Sequence, residues 1–416
     1  MYRSRHAEKT IKRLSKNFGA VLVTGARQVG KTTLLKEFGR KVRAKPRYVT
    51  LDNPLTLNEA VSEGSVFFRQ HKPPIIIDEI QYAPGLFPYI KMITDTEKAK
   101  GLFFMSGSQQ FQMMKNVSES LAGRIGIVTL SAFSIREIQG VAYDRPFLPV
   151  DDYFARRKKD AVPLSYDEIW KFIQRGTMPA LNAAASRRPA GDDEWNDFYT
   201  TYTKTYIERD VRDLAQVGNE RQFMRFLTMA AGRTGQLLNL SSIAQDTGIS
   251  SSTAERWLSI LVASNIAYLL RPFSLNIAKR VVKTPKLYFF DTALVCFLLG
   301  WDNPVPLSRG PMAGALFETF VIGEVIKSYA NAGKEAPAFF YRDRDGKEID
   351  LLIVRNGVIH PLEIKKHANP GPADIAAFGT IEKINGYSRG RGGVICACEE
   401  PALLKGGDRA IPVSYL

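Results

Sequence analysis

The first 140 residues alternate short apolar runs with longer segments of helical periodicity. Five apolar runs are predicted to be strands, because each is short, rich in β-branched or aromatic residues and followed by polar residues or glycine. These runs are residues 20–24, 47–51, 75–79, 102–106 and 126–130. Apolar strands that alternate with helices are typical of a parallel sheet with helices on both faces. The pattern therefore predicts an α/β domain at the start of the chain.

The pattern changes three times in the rest of the chain. Residues 141–165 are rich in proline and charge and are predicted to form a linker. Helical periodicity follows, and a pair of helices joined by a turn at Gly248, the first capped by Ser241, then leads to two apolar runs. That order is typical of a winged helix. The predicted units are residues 1–140, 141–219, 220–300 and 301–416, the last of them again α/β.

The stretch 24-TGARQVGKTT-33 lies between the first predicted strand and a helical segment. It contains the complete pattern of a phosphate-binding loop, in which backbone N–H groups converge on phosphates and the lysine reaches the β- and γ-phosphates. The positive end of the following helix dipole points at the same anion. We therefore expect a nucleotide to be bound by Gly25, Ala26, Arg27, Gln28, Val29, Gly30, Lys31, Thr32 and Thr33.

Two carboxylates follow the third predicted strand. Asp78 is predicted to hold Mg²⁺ together with Thr32, and Glu79 is predicted to be the base that activates the attacking water. Ser108 or Ser106, after the fourth strand, is expected beside the γ-phosphate. The predicted catalytic residues are Lys31, Glu79, Ser108 (or Ser106) and Arg124. Arg124 would complete the site of a neighbouring subunit if the subunits form a ring. The alternative for Arg124 is an ordinary surface arginine in a monomer.

A second group of acids lies near the C-terminus. Asp350 is predicted on one strand, and Glu363 and Lys365 share a face of the next strand. Glu318 on the preceding helix, or alternatively Glu324, would add a further carboxylate. Carboxylates beside a lysine suit a divalent metal and an activated water. The same spacing also occurs in any exposed sheet, since strand residues two apart always share a face.

Charge and composition favour an intracellular protein that binds a polyanion. The formal net charge is +15 and the pI is about 9.6, which favours DNA as a partner. The expected phosphate contacts are Lys279, Arg280 and Lys283. No apolar run is long enough to span a membrane, and the three cysteines do not suggest a disulfide framework. We therefore predict a cytoplasmic location with no membrane partner.

The order of these elements resembles that of AAA+ ATPases. The motifs 75-IIIDEIQ-81, 106-SGSQ-109, 120-SLAGR-124, 174-QRGTMP-179 and 208-ERDV-211, with the phosphate loop, look like a bacterial and archaeal family. Its members join an AAA-type ATPase domain to a C-terminal domain of unknown function. The resemblance implies a RecA-like P-loop AAA+ domain that binds and hydrolyses ATP with Mg²⁺. The C-terminal acids, Asp350 followed by Glu363-Ile364-Lys365, resemble the PD-(D/E)xK nuclease fold.

Three functions follow from these predictions. The first is an ATPase whose hydrolysis moves a helical lid, a winged helix and a restriction-nuclease-like α/β domain that act on DNA. The second is a nucleotide-gated switch or scaffold that binds protein partners and has an inert nuclease-like domain. The third is a nuclease that ATP holds in check. The sequence leaves open whether the chain is a monomer or a homo-oligomer.

Overall fold

The computed structural model describes residues 2–107, 121–182, 191–207, 220–275, 284–343 and 345–416. A five-stranded parallel sheet forms first, with the strand order β2-β3-β4-β1-β5. Its strands are β1 Ala20–Thr24, β2 Arg47–Thr50, β3 Ile75–Asp78, β4 Phe103–Ser106 and β5 Ile125–Thr129. All five strands predicted from the apolar runs are therefore confirmed, to within one residue at each end.

Helices cover both faces of this sheet, which is why every residue of β1 is buried. They are α1 Ala7–Asn17, α2 Lys31–Lys41, α3 Pro54–Ser62, α4 Gly64–Gln70, α5 Leu86–Glu97 and α6 Ile135–Ile138. Because β1, β3 and β4 run in parallel, their carboxyl ends meet at one edge of the sheet. The turn after β1 and the acids after β3 are thereby brought to the same place, where ligands bind in open parallel sheets.

The predicted linker contains a helix, so that prediction is wrong for part of its length. Helix α7 Asp151–Asp160 buries Tyr153, Phe154 and Arg157 on one face. The Arg157 guanidinium donates to the Ser414 carbonyl at 2.8 Å, and the Tyr153 hydroxyl donates to the Tyr415 carbonyl at 2.8 Å. The segment is therefore helical because it packs against the C-terminus of the chain, which its own composition does not reveal.

The next described elements are helical as predicted. They are α8 Tyr166–Arg175, a 3₁₀ turn at Pro179–Asn182, α9 Asp192–Thr201, a π-helical turn at Tyr202–Ile207, α10 Glu220–Ala231, α11 Leu240–Thr247 and α12 Ser251–Ala263. Ser241 is the predicted cap of α11, but the helix begins at Leu240, two residues earlier than that cap implies. Its cap is Asn239, whose side chain accepts from the Ser242 backbone N–H at 3.0 Å. Gly248 has φ 75°, as the turn between α11 and α12 requires.

A small antiparallel sheet, with the order β6-β8-β7, lies beside these helices. Its strands are β6 Gln236–Leu237, β7 Ala267–Leu270 and β8 Lys286–Phe289. Short helices follow at α13 Thr292–Leu298 and α14 Pro304–Arg309. Both apolar runs predicted to be strands after the helix pair therefore contain one.

The last part of the chain is a seven-stranded sheet with a long buried helix, α15 Ala313–Ala330. Its strands are β9 Ala338–Arg342, β10 Glu348–Arg355, β11 Val358–Lys365, β12 Ser388–Arg389, β13 Gly393–Cys396, β14 Ala402–Leu403 and β15 Arg409–Pro412. Strands β9, β10 and β11 are antiparallel, whereas β13 runs parallel to β11 and β15 runs parallel to β13. In the described part of the chain, no helix combines the length and apolar composition that a bilayer crossing requires.

Candidate nucleotide site and a second cluster of acids

The turn after β1, which we call the phosphate loop (residues 25–32), has a backbone that glycine makes possible. Gly25 has φ 139°, and a Cβ on it would lie 2.0 Å from the Leu130 carbonyl oxygen. Gln28 and Gly30 also have positive φ angles, of 61° and 90°. Positive φ angles of this kind are costly for residues other than glycine. The loop is therefore held in one specific shape, immediately before helix α2.

Lys31 is buried inside this loop. Its ammonium donates to the backbone carbonyls of Gly25 at 3.0 Å and Ala26 at 2.8 Å. Both of these acceptors are uncharged, and they hold the ammonium at the point where the loop curves. That placement suits an anion bound by the backbone N–H groups of the loop.

Three hydroxyl groups hold Asp78 at the carboxyl end of β3. Thr32 donates to its two carboxylate oxygens at 3.0 and 2.9 Å, and Tyr48 donates to it at 2.8 Å. The third donor is Ser106, at the end of β4. Burial and the Asp78 carboxylate raise the pKa of Tyr48 above its ordinary value. The aspartate is thus positioned by uncharged donors, next to the hydroxyl predicted to share Mg²⁺ with it.

Glu79 follows directly and has the left-handed backbone conformation, with φ 57°. Burial raises the pKa of its carboxyl group, although the Gln81 amide that donates to it and the nearby Lys31 act in the opposite direction. A carboxylate with a raised pKa is a better proton acceptor, which is the property required of a general base. The left-handed turn places this side chain in the wall of the same cavity as the phosphate loop.

The phosphate loop opens into a cavity of about 830 Å³. Its lining combines residues of the phosphate loop, the acids Asp52 and Glu79, and residues from the helical part of the chain: Arg27, Gln28, Gly30, Lys31, Thr32, Thr33, Leu51, Asp52, Leu57, Glu79, Tyr82, Pro179, Ala180 and Phe198. A site of this size, with apolar walls and a few converging polar groups, fits a ligand the size of a nucleotide. Because Pro179, Ala180 and Phe198 lie beyond residue 166, such a ligand would contact two parts of the chain.

The other predicted catalytic residues have different outcomes. Ser106 contacts Asp78, whereas its alternative, Ser108, lies outside the described residues, as do Lys279, Arg280 and Lys283 and the motif at 208–211. Arg124 precedes β5, at the edge of the sheet opposite the phosphate loop, and donates to Asp95 at 2.6 and 3.1 Å. The structure therefore does not bring Arg124 to the site of its own chain, and its predicted role in a neighbouring subunit stays a prediction.

Arg5 is a residue of this site that the sequence did not suggest. Its buried guanidinium donates to the carbonyl of Val29 in the phosphate loop at 2.8 Å and to the carbonyl of Ser131 at 2.6 Å. It also pairs with the buried Glu137 at 3.0 Å. Arg5 therefore connects the phosphate loop to α6. No motif surrounds it, and the basic N-terminal helix was the only signal present.

A buried network continues from α6 to the C-terminal helix α15. The Glu324 carboxylate accepts from the backbone N–H of Ile135 at 2.9 Å. The Lys327 ammonium donates to Glu324 at 2.8 Å, and to the Phe133 carbonyl and the Thr177 hydroxyl at 3.1 Å each. Glu324 was the alternative to Glu318 in the C-terminal cluster, and that prediction is wrong because Glu324 bonds to the first domain instead.

The remaining C-terminal residues do come together. The Lys365 ammonium lies 2.7 Å from a Glu363 oxygen and 3.6 Å from an Asp350 oxygen. Asp350, the third residue of β10, also accepts from the backbone N–H of Ile364 at 2.9 Å. Burial and the neighbouring Asp350 carboxylate raise the pKa of Glu363 to about 8. The effect of Asp350 on the pKa of Glu363 shows that the two carboxyl groups are close together. Strands β10 and β11 therefore bring these acids to one place, as their spacing predicted.

Glu318 lies in the same cluster but is bonded to residues of β8. The Lys286 ammonium lies 3.1 Å from a Glu318 oxygen and 2.6 Å from a Glu348 oxygen, and the Tyr288 hydroxyl donates to Glu318. Burial and the charge of Asp350 raise the pKa of Glu318. Within the described ranges, no group of three or more acids, histidines or cysteines has the arrangement of a metal site. The four predicted residues are therefore assembled, but the expected metal centre is not formed.

Three family models match successive parts of the chain. Residues 17–139 match a model described as an AAA domain. Residues 166–305 and 313–416 match two models that are each described only as a domain of unknown function (DUF8612 and DUF4143). The first match establishes an AAA-type P-loop domain, whose general activity is the binding and hydrolysis of ATP.

Individual proteins are similar over most of the chain. Two uncharacterized proteins, from Mycobacterium bovis and Mycobacterium tuberculosis, are each 29% identical over 366 residues, which are 88% of this chain and 74% of each relative. A Walker-type ATPase of Pyrococcus abyssi has a TM-score of 0.44 and 15% identity, over 70% of this chain and 94% of that one. RuvB of Thermotoga maritima has a TM-score of 0.28 and 14% identity, over 64% of this chain and 86% of that one.

Proposed function

We propose that the chain hydrolyses ATP with Mg²⁺ at the cavity beside the phosphate loop and uses the hydrolysis to act on DNA. The observation that carries this proposal is the convergence of Lys31, Thr32 and Glu79 on a cavity large enough for a nucleotide, with Asp78 bonded directly to Thr32. Backbone carbonyls hold the Lys31 ammonium, and hydroxyl groups hold the Asp78 carboxylate. Glu79 lies in the wall of the cavity.

The roles of these residues follow from their chemistry. The backbone N–H groups of the phosphate loop and the Lys31 ammonium would bind the β- and γ-phosphates. The hydroxyl of Thr32 and the carboxylate of Asp78 are oxygen donors of the kind that Mg²⁺ prefers, and the ion would neutralise the charge of the phosphates. Glu79 would accept the proton of the attacking water, for which its raised pKa is suited.

Two observations support the coupling of hydrolysis to later parts of the chain. Pro179, Ala180 and Phe198 line the cavity, so the loss of the γ-phosphate would change the contacts of the helical segment that follows residue 166. Thr177, in the same segment, accepts from Lys327 of the C-terminal helix. A displacement of residues 177–180 therefore alters a buried contact of α15.

DNA is the partner that charge and fold favour. The net charge of +15 favours a polyanion. Helices α11 and α12, joined by the Gly248 turn and followed by strands β7 and β8, have the order of a winged helix, a common DNA-binding unit. The alternative function is a nucleotide-gated switch or scaffold, in which the same unit binds a protein and the C-terminal domain is inert.

Cleavage of DNA is a second candidate activity. It is favoured by one observation, the meeting of Asp350, Glu363 and Lys365 at the ends of neighbouring strands. Carboxylates and a lysine in this arrangement are suited to a metal-dependent nuclease. The direct pairing of each acid with an ammonium favours the alternative of an inert domain. The experiment that tests the ATPase also distinguishes an active nuclease from an inert domain.

The test is ATP turnover by the full chain, with and without duplex DNA, while the DNA is scored for cuts. We expect turnover that DNA stimulates, and its loss in Lys31→Ala, since this removes the charge nearest to the phosphates. The control is Lys91→Ala, which removes an exposed lysine from α5 and should leave turnover unchanged. Unchanged hydrolysis in Lys31→Ala would overturn the site. Turnover that ignores DNA, with no gel shift at moderate salt, would favour the switch or scaffold.

A further inference from the structure

We infer that the C-terminal acid cluster holds an internal cation, the ammonium of Lys286, in place of a divalent metal. The inference concerns a site other than the nucleotide cavity and holds whether or not the chain hydrolyses ATP. It assigns to this site two side chains from the preceding small sheet, Lys286 and Tyr288, which lie 32 and 30 residues before Glu318. The consequence is a metal-free cluster in which each carboxylate has an ammonium of this chain within 4 Å.

Strand β8 brings both residues to the cluster. Lys286 and Tyr288 are two apart on this strand and therefore share a face. The Lys286 side chain is only 5% exposed, and its ammonium contacts Glu318 and Glu348 at 3.1 and 2.6 Å. The Tyr288 hydroxyl donates to the same oxygen of Glu318 that Lys286 contacts. A buried lysine that is shared between two acids is held by them in a fixed position.

The charges of the cluster are paired acid by acid. Lys286 contacts two of the four carboxylates, Glu318 and Glu348. Lys365 contacts the other two, Asp350 at 3.6 Å and Glu363 at 2.7 Å. Every carboxylate therefore has an ammonium within 4 Å.

A divalent ion would have to compete with these ammoniums. Mg²⁺ and Mn²⁺ sites take carboxylate oxygens at roughly 2.0–2.2 Å and in a fixed geometry. One oxygen of Glu318, Oε1, is already shared between Lys286 and Tyr288. A second positive charge next to a buried ammonium is also repelled strongly, because screening by water is weak there. The cluster in this conformation therefore does not fit the metal that its spacing suggests.

The experiment measures Mn²⁺ binding to the nucleotide-free full chain by calorimetry and by the loss of the free-ion signal in electron paramagnetic resonance. Five proteins are compared: wild type, Asp350→Asn, Lys286→Gln, Lys286→Arg, and Lys286→Gln combined with Asp350→Asn. We expect Lys286→Gln to gain one Mn²⁺ site at least about tenfold tighter than any Asp350-dependent binding of the wild type. Lys286→Arg keeps the charge and should gain none, and Asp350→Asn should abolish the gained site.

Two results would overturn the inference. One is stoichiometric Mn²⁺ binding by the wild type that is lost in Asp350→Asn alone, since the cluster would then accept a metal with Lys286 in place. The other is a folded Lys286→Gln that gains no site. If Lys286→Gln does not fold without metal, the comparison of wild type with Asp350→Asn still decides: the absence of an Asp350-dependent site supports the inference, and its presence refutes it.

Discussion

The two acid clusters of this chain use the same types of residue in opposite ways. At the nucleotide cavity, the lysine bonds to neutral backbone carbonyls and Asp78 accepts from three hydroxyls. In the C-terminal cluster, Lys286 and Lys365 bond directly to the carboxylates. Both clusters lie where strands end beside a helix, so the difference lies in what each charge is paired with.

This difference separates a site that is prepared for charged ligands from one whose carboxylates are already paired with ammoniums of the chain. A carboxylate held by hydroxyls keeps its charge available for a cation, and a lysine held by carbonyls keeps its charge available for an anion. A carboxylate that is bonded to an ammonium already has its charge paired within the fold. Removing one of the two groups leaves the other without its counter-ion. An acid-x-lysine spacing in a sequence does not distinguish these cases.

The largest expected effect is on Glu79, the acid that is free to react. Glu79→Gln should lower the rate of ATP hydrolysis by about 100-fold or more, because an amide cannot accept the proton of the attacking water. ATP affinity should change little, since Glu79 is not predicted to hold the phosphates. The control is Glu97→Gln at the exposed end of α5. Steady-state turnover and equilibrium binding of a fluorescent ATP analogue separate the two effects.

Stability gives a second test of the same residue. Burial raises the pKa of Glu79, so its charge is a cost to the fold. Glu79→Gln should therefore unfold in urea at the same concentration as the wild type, or at a higher one. A variant that loses both turnover and stability would show that Glu79 is paired in the same way as the C-terminal acids, and the comparison would fail.

Glu137 is a paired acid close to the nucleotide site. It tests whether ion pairing, rather than position in the molecule, determines that an acid contributes to stability. Glu137 is fully buried against Arg5, which also holds the Val29 carbonyl of the phosphate loop. Glu137→Gln should lower the free energy of unfolding at neutral pH by on the order of 3 kcal/mol, since it leaves the arginine without its counter-ion. Urea unfolding of the two proteins measures the difference.

The pH dependence of that difference has a definite sign. Burial alone would raise the pKa of Glu137, but Arg5, His6 and two backbone N–H groups hold it below its ordinary value of 4.5. A depressed pKa stabilises the fold above the unfolded value, and the stabilisation is lost as the pH falls through the folded value. The stability gap between wild type and Glu137→Gln should therefore be full at about pH 7 and shrink below about pH 4.5. A gap that is constant with pH would contradict the ion pair.

In the C-terminal cluster, the expected effect is on stability alone. Glu318→Gln should lower the free energy of unfolding by about 1–3 kcal/mol, because the buried Lys286 ammonium loses one of its two carboxylate partners. ATP turnover per folded molecule should be unchanged in the absence of DNA. Glu382→Gln, at an exposed position, is the matched control for urea unfolding. An unaltered midpoint for Glu318→Gln would mean that the pair with Lys286 contributes nothing.

The sequence predicted the parts of the molecule whose cause is local. The phosphate loop is eight consecutive residues whose glycines determine its backbone, and the five strands of the first sheet are contiguous apolar runs. Asp78 and Glu79 were predicted because they follow an apolar strand in a chain that also contains a phosphate loop. The meeting of Asp350 with Glu363 followed similarly from the two-residue period of neighbouring strands.

The residues that were missed have distant partners and no motif. Arg5 pairs with Glu137, which lies 132 residues further along the chain. Lys286 is a single lysine at the start of an apolar strand, and nothing local indicates that it contacts two acids of another unit. Helix α7 lies in a segment whose composition predicts a linker. Its buried face packs against the last residues of the chain, which are far away in sequence. Contacts of this kind depend on the packing of whole units.

The smallest expected effect concerns Tyr48, one of the three hydroxyls that hold Asp78. Tyr48→Phe removes one hydrogen bond of 2.8 Å and leaves those from Thr32 and Ser106 in place. The loss of one such bond is worth about 0.5–1.5 kcal/mol, so the Mg²⁺ concentration that gives half-maximal ATP turnover should rise by about two- to tenfold. Nucleotide binding in the presence of a chelator should be unchanged, because the phosphate loop is intact.

The control for Tyr48→Phe is Tyr166→Phe, which removes a hydroxyl from an exposed ring on α8. If Tyr48→Phe changed ATP affinity without Mg²⁺ and left the Mg²⁺ requirement unaltered, Tyr48 would act on the nucleotide rather than through Asp78. A shift in the Mg²⁺ requirement alone would show that uncharged donors prepare this aspartate for a cation. That preparation is the property that the C-terminal acids lack while Lys286 and Lys365 are bonded to them.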